Sequence, residues 1–420
     1  MLYDAYQFAR GWMAPAACAA QAWTQAWTDP KSPWAQIPGA ALIAAGPEVF
    51  HRLAKDYPKP VFGIAEVEKE GRRIAVVEEQ ADHTPFCRLV GFRRLSDDPA
   101  VLARLAQEPA VLVVAPLSGH HATLLRDTVR ALLRDHQVWV MDWQDARHIP
   151  LSEGPFGLDD YVATVDRFVE KLGASRLHIM AVCQPVVPVL GMAALRASAG
   201  HAAPRSLVLM GGPIDPRQSP TAVNNLATRR PYAWFENQLI HRVPAESAGR
   251  GRKVYPGFLQ HMGFVAMNPE HHAKAHWGFF ENLLSGDRED AQAHRTFYDE
   301  YNAVLDMPAE YYLDTIRTVF QECRLPRGVW EVVGRPVRPQ DIRETALMTI
   351  EGERDDIAGQ GQTRAAHALC SGLADSQRTH LLAAGAGHYG LFSGRRWREE
   401  ICPQVAAFIR RHEPPAVVDR

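Results

Sequence analysis

Cysteine is scarce and dispersed. Six occur in 420 residues, at positions 18, 87, 183, 323, 370 and 402. They form no C-x-x-C pair and no cysteine–histidine cluster at zinc spacing, which excludes a disulfide scaffold and a structural zinc site and fits a reducing compartment. Long apolar runs are also missing: stretches such as Val111 to Leu117 fall far short of the roughly 20 residues a membrane helix needs, so no membrane span is expected. Neither sign of charge dominates, with Lys+Arg 46 against Asp+Glu 48 and a formal charge of −2. That balance gives no electrostatic reason to bind DNA, RNA or an anionic membrane, and nucleic acid is not expected as a partner. Internal repeats and low-complexity tracts are absent as well.

What remains is globular in composition, 46% hydrophobic and 22% charged, and long enough for two or three domains or one α/β core with a large insertion. Gly11 to Ala20 is apolar and Ala-rich behind Arg10, which imitates a signal peptide. Asp4 offsets Arg10, however, and Tyr3, Tyr6, Phe8 and Trp12 read better as an amphipathic docking helix, so a cytoplasmic location is expected.

Residues 61 to 93 alternate in the manner of β-strands, with Glu70-Gly71 as a turn, and predict an antiparallel sheet edge. From residue 110 the pattern changes. Buried strands (Ala110 to Ala115, Val138 to Met141, Leu177 to Val182, Leu207 to Met210) alternate with helical stretches (His121 to Leu133, Leu158 to Leu172, and one after Cys183). Such alternation predicts a mostly parallel central sheet with helices on both faces. It lapses between Pro213 and about Gln340, an aromatic-rich stretch expected to form a large, mostly helical lid insertion. It resumes with strand Ala346 to Ile350, a helix around Thr363 to Leu369, strand Thr379 to Ala383 and a helix from Arg395 to Arg411, which Pro403 should kink. The expected division is therefore 1–212 for the first part of the core, 213–340 for the lid, 341–413 for the rest of the core, and a disordered tail at 414–420.

Reactive groups in an open α/β sheet lie on loops at the carboxyl ends of strands. Three such loops carry candidates. In Met180-Ala-Val-Cys183-Gln-Pro185 a strand turns directly into a helix, a degenerate form of the G-x-S-x-G elbow with Ala181 and Pro185 at the small positions. A helix N-terminus favours a thiolate, although a cysteine there is commoner as a small buried hydrophobe. The second loop, Glu351-Gly-Glu-Arg-Asp355-Asp356-Ile357, offers Asp355 as an acid to orient a histidine, with Asp356 and Glu353 as rivals. The third, Gly385-Ala-Gly387-His388-Tyr389-Gly390, offers His388. By letter it also matches G-x-G-x-x-G, but it leaves no room for a second βαβ unit, so a dinucleotide site is excluded.

Nucleophile, acid and histidine in that order, after successive strands, is the order of the α/β-hydrolase fold. Cys183, Asp355 and His388 are thus read as a triad, with oxyanion donors expected from the N–H of Gln184 and from Ser118, or next Gly119. His120, His121 and Tyr389 are candidate substrate contacts, the two adjacent histidines reading equally well as a solvent-exposed helix start.

With these residues in view, the sequence resembles the intracellular polyhydroxybutyrate depolymerases. The likeness runs from Met1-Leu-Tyr-Asp-Ala-Tyr-Gln-Phe8 through Ala115-Pro-Leu-Ser-Gly-His-His-Ala122 and Ala181-Val-Cys-Gln-Pro185 to Gly387-His-Tyr-Gly390. It implies an α/β-hydrolase with a cysteine in place of serine, acting on amorphous poly(3-hydroxybutyrate) at cytoplasmic storage granules to release 3-hydroxybutyrate oligomers and monomer. No metal or organic cofactor is implied, and homo-oligomerisation stays open. The rival expectations are a polyester synthase or coenzyme A-dependent acyltransferase on the same fold, a catalytically silent granule-binding protein, and a general small-ester hydrolase.

Overall fold

A computed structural model describes residues 2–267 and 269–414; apart from Pro414, the expected disordered tail lies outside them. Two helices come first, α1 (Leu2–Thr28) and α2 (Ala40–Ala54). Strands β1 (Glu66–Lys69), β2 (Arg72–Thr84) and β3 (Cys87–Leu95) then form an antiparallel meander. Its first turn places Glu70 and Gly71 at φ 51° and 74°, the left-handed pair that a tight hairpin requires.

The alternating region follows as α3 (Pro99–Ala106), β4 (Ala110–Val114), α4 (Arg126–Leu132), β5 (Gln137–Trp143), α5 (Leu158–Leu172), β6 (Leu177–Val182), α6 (Val186–Ser198) and β7 (Ser206–Met210). After β7 the chain leaves the sheet through α7 (Ala222–Arg229), α8 (Tyr232–Leu239), α9 (Gly257–Met267), α10 (Pro269–Ser285), α11 (Arg288–Tyr301) and α12 (Ala309–Thr315). It returns as β8 (Ala346–Gly352), β9 (Arg378–Ala383) and the closing helix α13 (Cys402–Arg411).

The nine strands lie in the order β1-β2-β3-β5-β4-β6-β7-β8-β9. The six from β5 to β9 run parallel, and the meander adds an antiparallel edge. This mostly parallel sheet, helix-covered on both faces, is the α/β-hydrolase architecture. Strand β4 shows why its sequence reads as a continuous apolar run. Leu112 and Val114 face the core under α5 and α6, while Val111 and Val113 face the core under α4 and α13. Each fully buried side chain contributes about 1.5–3 kcal/mol. Helix α5 buries Leu158, Tyr161, Val162, Val165, Phe168 and Val169 along one stripe, as their helical spacing predicts.

Several expectations need correction. The helix expected at His121 to Leu133 opens with a 3-10 turn at Ala122–Leu125, and His120 and His121 are buried rather than solvent-exposed. The helix expected at Thr363 to Leu369 is α-helical only over Ala366–Leu369. The kink expected from Pro403 takes the form of a π-helical turn at Trp397–Ile401, which leaves Pro403 in the first turn of α13, where its missing N–H costs little. The segment after β7 also holds β-structure. Lys253–Tyr255 pairs with His241–Arg242 and with Met307–Pro308, and Glu331–Val332 pairs with Arg335–Pro336. On its return this segment runs along α6. Trp330 packs there on Gly191, where a Cβ would stand 2.5 Å from the indole.

Candidate active site

Three loops at the carboxyl ends of β6, β8 and β9 carry Cys183, Asp355 and His388. Cys183 follows β6 directly and holds φ 68°, a left-handed conformation that a side chain adopts at a cost of about 1–3 kcal/mol. Its N–H donates to Met210 O at 2.7 Å, so the strained residue is pinned to the end of β7. The turn is tight enough that its neighbours must lack side chains. A Cβ on Gly212 would lie 2.2 Å from Cys183 O, and one on Gly211, itself at φ 53°, would lie 3.2 Å from Asp355 Oδ2 and 3.4 Å from His388 Cε1.

Asp355 has a completely buried side chain. One oxygen accepts the N–H groups of Ile357 (2.8 Å) and Ala358 (2.9 Å). The other meets His388 Nδ1 at 2.8 Å. Of its rivals, Asp356 is exposed, and Glu353, also exposed, accepts the N–H of Gly385. Of the three acids, Asp355 is the one that is buried and meets His388. With Nδ1 engaged, Nε2 of the buried His388 is the ring nitrogen left for Cys183, whose side chain is close enough to act on the imidazole pKa. Burial pushes the imidazole pKa down, but the negative charges of Cys183 and Asp355 outweigh it and hold the pKa well above the ordinary histidine value. The site thus favours the charged form of the imidazole.

The other sequence-predicted residues divide. Gln184 stands at the start of α6 with both polar atoms of its carboxamide buried and, among the described residues, without a hydrogen-bond partner. Ser118 is half-buried on the loop after β4. Its neighbour Gly119, at φ 107°, accepts the N–H of Leu305 at 2.7 Å, which ties this loop to the segment after β7. His120 Nε2 meets Tyr301 O at 3.1 Å and its ring stacks on Phe264. Burial, then the nearby His261, pushes its pKa down to about 4. His120 belongs to the side of the site built by α9 and α11. His121 does not: burial first, and then the positive charge of Lys59, push it down to about 3, and its neighbours include the Lys59–Asp142 ion pair. Tyr389 is half-buried. Together with Phe264, Met267, Tyr301, Ile357 and His388 it lines a cavity of about 280 Å³.

Sequence reasoning missed the support around these groups. Glu351 accepts the N–H groups of Gly361 (2.9 Å), Thr363 (2.8 Å) and Arg364 (2.8 Å), which closes the loop that carries Asp355. Thr363 Oγ1 accepts the N–H of Gly212 and donates to Gly212 O, at 2.8 and 2.9 Å. The signal available for this was the Gly211-Gly212 pair placed immediately after an apolar strand. Among the described residues no group of histidine, cysteine and acidic side chains could hold a metal ion, and no helix is long and apolar enough to cross a membrane.

Comparison with known proteins adds the following. Residues 211–413 match the family described as “PHB de-polymerase C-terminus”, a match that supports ester hydrolysis. No curated protein matches the chain. Among solved structures, a carboxylesterase study of Nitrososphaera gargenis aligns at 10% identity and TM-score 0.41, over 82% of this chain and 99% of that one. The 2-hydroxy-6-oxo-6-phenylhexa-2,4-dienoate hydrolase of a Rhodococcus strain aligns at 12% identity and TM-score 0.44, over 80% and 99%. A Paleococcus ferrophilus monoacylglycerol lipase aligns at 12% identity and TM-score 0.41, over 73% and 96%. At these scores the fold assignment rests on the strand order itself.

Proposed function

We propose that this chain, a PHB depolymerase-like α/β-hydrolase, hydrolyses amorphous poly(3-hydroxybutyrate) with Cys183 as nucleophile, His388 as acid–base and Asp355 as the group that orients it. The observation that carries the reading is the convergence of a strained, left-handed Cys183 with the buried Asp355–His388 pair.

In the first half-reaction the Cys183 sulfur attacks an ester carbonyl, and its proton resides on His388. Negative charge develops on the carbonyl oxygen, for which the backbone N–H groups of Gln184 and Ser118 serve as donors in this reading. Collapse of the tetrahedral species breaks the ester C–O bond. His388 passes its proton to the leaving alkoxide, which departs as the hydroxyl end of a shortened chain, and the acyl group stays on sulfur as a thioester. In the second half-reaction His388 takes a proton from water, the hydroxide attacks the thioester, and the acid is released as the thiol re-forms. Throughout, Asp355 holds the imidazole in the tautomer that leaves Nε2 facing the sulfur.

The segment 213–340 acts as the lid in this reading, since Phe264, Met267 and Tyr301 wall the cavity beside His388 and an insoluble polyester needs an apolar approach. Tyr389 and His120 border the substrate's path. The polymer on storage granules in the cytoplasm is the partner. Release of 3-hydroxybutyrate from protein-coated amorphous granules by the wild type, and its collapse in Cys183→Ala with the fold intact, is the expected result. Equal release by both proteins would remove the triad. Consumption of 3-hydroxybutyryl-CoA to build polymer would replace the hydrolase reading with a synthase.

A further inference from the structure

Helix α1 has its polarity inverted. Its buried and half-buried positions recur at threes and fours, from Tyr3 through Ala17 to Trp27; Tyr3 packs on Phe258, and the stretch around Ala17 faces α2. There His51 Nδ1 lies 2.9 Å from Ala17 O, and Thr24 Oγ1 reaches Ala44 O. On a soluble helix the opposite face should be polar. Here Phe8, Trp12, Ala16, Ala19, Trp23 and Ala26 are all exposed, and at 3.6 residues per turn they fall within an arc of about 80°. Pro15 and Ala22 flank them. Phe8 is 71% exposed, Trp12 77% and Trp23 50%. The stripe runs about 27 Å along the helix at 1.5 Å per residue.

The chemistry of this face narrows what covers it. From Gly11 to Pro47 the chain carries only two charged residues, Asp29 and Lys31. An anionic lipid surface attracts helices through lysine and arginine, and this stretch offers almost none. The hydrogen-bonding side-chain groups on the stripe are the indole N–H donors of Trp12 and Trp23. An aliphatic polyester is the complementary surface: uncharged, largely apolar, and rich in carbonyl acceptors while lacking donors along its chain. Indoles suit such a boundary because an apolar ring and a donor share one side chain.

The helix pair is also fastened to the wall of the active site. Arg52 of α2 donates to Arg295 O and to Asp299 Oδ1, both at 3.0 Å, and Glu48 pairs with Arg295 at 2.6 Å. These partners lie on α11, which ends at Tyr301 beside His388. Tyr6 stacks on Phe258 of α9 at 3.9 Å.

We infer that the outer face of α1 is the polymer-docking surface, a stripe of Phe8, Trp12 and Trp23 that lies on the polyester and brings the lid and catalytic cysteine to it. This rests on the depolymerase reading above.

The test compares the full-length wild type with Phe8→Ser/Trp12→Ser/Trp23→Ser. Both are assayed for co-sedimentation with amorphous poly(3-hydroxybutyrate) particles, for cleavage of those particles, and for cleavage of soluble 3-hydroxybutyrate oligomers. The expected result is a loss of at least tenfold in particle affinity and in particle cleavage, with oligomer cleavage within twofold of wild type, which also reports that the variant is folded. Retention of particle affinity by the variant overturns the inference while leaving the depolymerase reading intact. A wild type that cleaves neither particles nor oligomers overturns the reading itself. Two further arms address other occupants. If the substitutions convert a dimer to a monomer, or abolish flotation with phosphatidylcholine vesicles, while particle affinity is unchanged, the face belongs to a second copy or to a bilayer and the inference fails. A single Trp12→Phe replacement, which keeps the apolar ring and removes one donor, should weaken particle affinity less than the triple change.

Discussion

Asp355 gives one oxygen to His388 Nδ1 and the other to two backbone N–H groups, so its carboxylate has no freedom to rotate. This is the arrangement of an orienting acid whose own position is fixed by its loop. Asp356, one residue on, is exposed. Asp355→Asn should therefore lower kcat on soluble oligomers about 10³-fold or more, because an amide turned toward Nδ1 favours the wrong tautomer. Asp356→Asn should stay within about threefold. Steady-state kinetics of the two variants decides between the neighbours; equal losses would mean that the acid is misassigned.

The His388 imidazole carries a second expectation. Burial alone would lower its pKa, and the charges of Cys183 and Asp355 raise it. Removing either partner, by Cys183→Ala or Asp355→Asn, should move the His388 ring titration downward in NMR. The sign for stability follows from linkage. A folded-state pKa above the unfolded value contributes stability that is complete below about pH 6.5 and is lost as pH rises through the folded value. Asp355→Asn should accordingly destabilise the protein most near neutrality, with the gap to wild type closing in alkali as His388 loses its charge and in strong acid as the carboxylate gains a proton. A gap that widens from neutrality into alkali would show that the imidazole is not held in its charged form.

The two glycines after β7 should fail in different ways. Gly212→Ala puts a methyl 2.2 Å from Cys183 O and 2.3 Å from Val186 Cγ2, and backbone cannot yield there. A loss above about 3 kcal/mol in denaturant unfolding, or failure to accumulate, is expected. At Gly211 the added methyl meets Leu391 at 2.9 Å and presses on Asp355 and His388. Gly211→Ala should cost activity out of proportion to stability, and the ratio of the two losses is the readout.

A buried acid also couples the first helix to pH. Asp306 accepts the hydroxyl of Tyr3 and, at 2.8 Å, the N–H of Gly257. Burial first, and then the charge of Asp145, push its pKa up to about 7. Because the folded form holds this proton above the ordinary carboxylate range, stability from Asp306 is present at low pH and declines as pH rises toward and through about 7. Asp306→Asn keeps an acceptor for Gly257 and lets the Tyr3 hydroxyl accept instead. It should flatten the dependence of Tm on pH between about 4 and 8. Tyr3→Phe should cost about 1–3 kcal/mol at pH 8.

Much of this architecture was legible because buried parallel strands and amphipathic helices leave strong periodic signals. Val111 to Val114 could be read as a strand, and Leu158 to Leu172 as a helix, from spacing alone. The loops bearing Cys183, Asp355 and His388 could be located because strand ends are where an open sheet exposes its chemistry. Register favoured Asp355 but left Glu353 and Asp356 as rivals, since three acids within four positions differ chiefly in burial, which tertiary packing decides. His120 and His121 misled for the same reason. The residues that bury His120, Phe264 and Tyr301, lie more than a hundred positions away. Two-residue strands such as Met307–Pro308 are too short to show any alternation, so the small sheet after β7 left no trace in the sequence.

The pairing of β7 with β8 places Ser206 beside Ala346 and Met210 beside Ile350. The two strands therefore start at the same end of the sheet, and the chain leaving Met210 must travel back the full length of a strand before it can begin the next. Everything between them is an overgrown crossover connection, with feet at opposite rims. Parallel neighbours need a link of about a dozen residues or more, so joining 212 directly to 345 would break the sheet rather than trim it. Replacing this segment would have to preserve its return leg along α6, where Trp330 sits on Gly191.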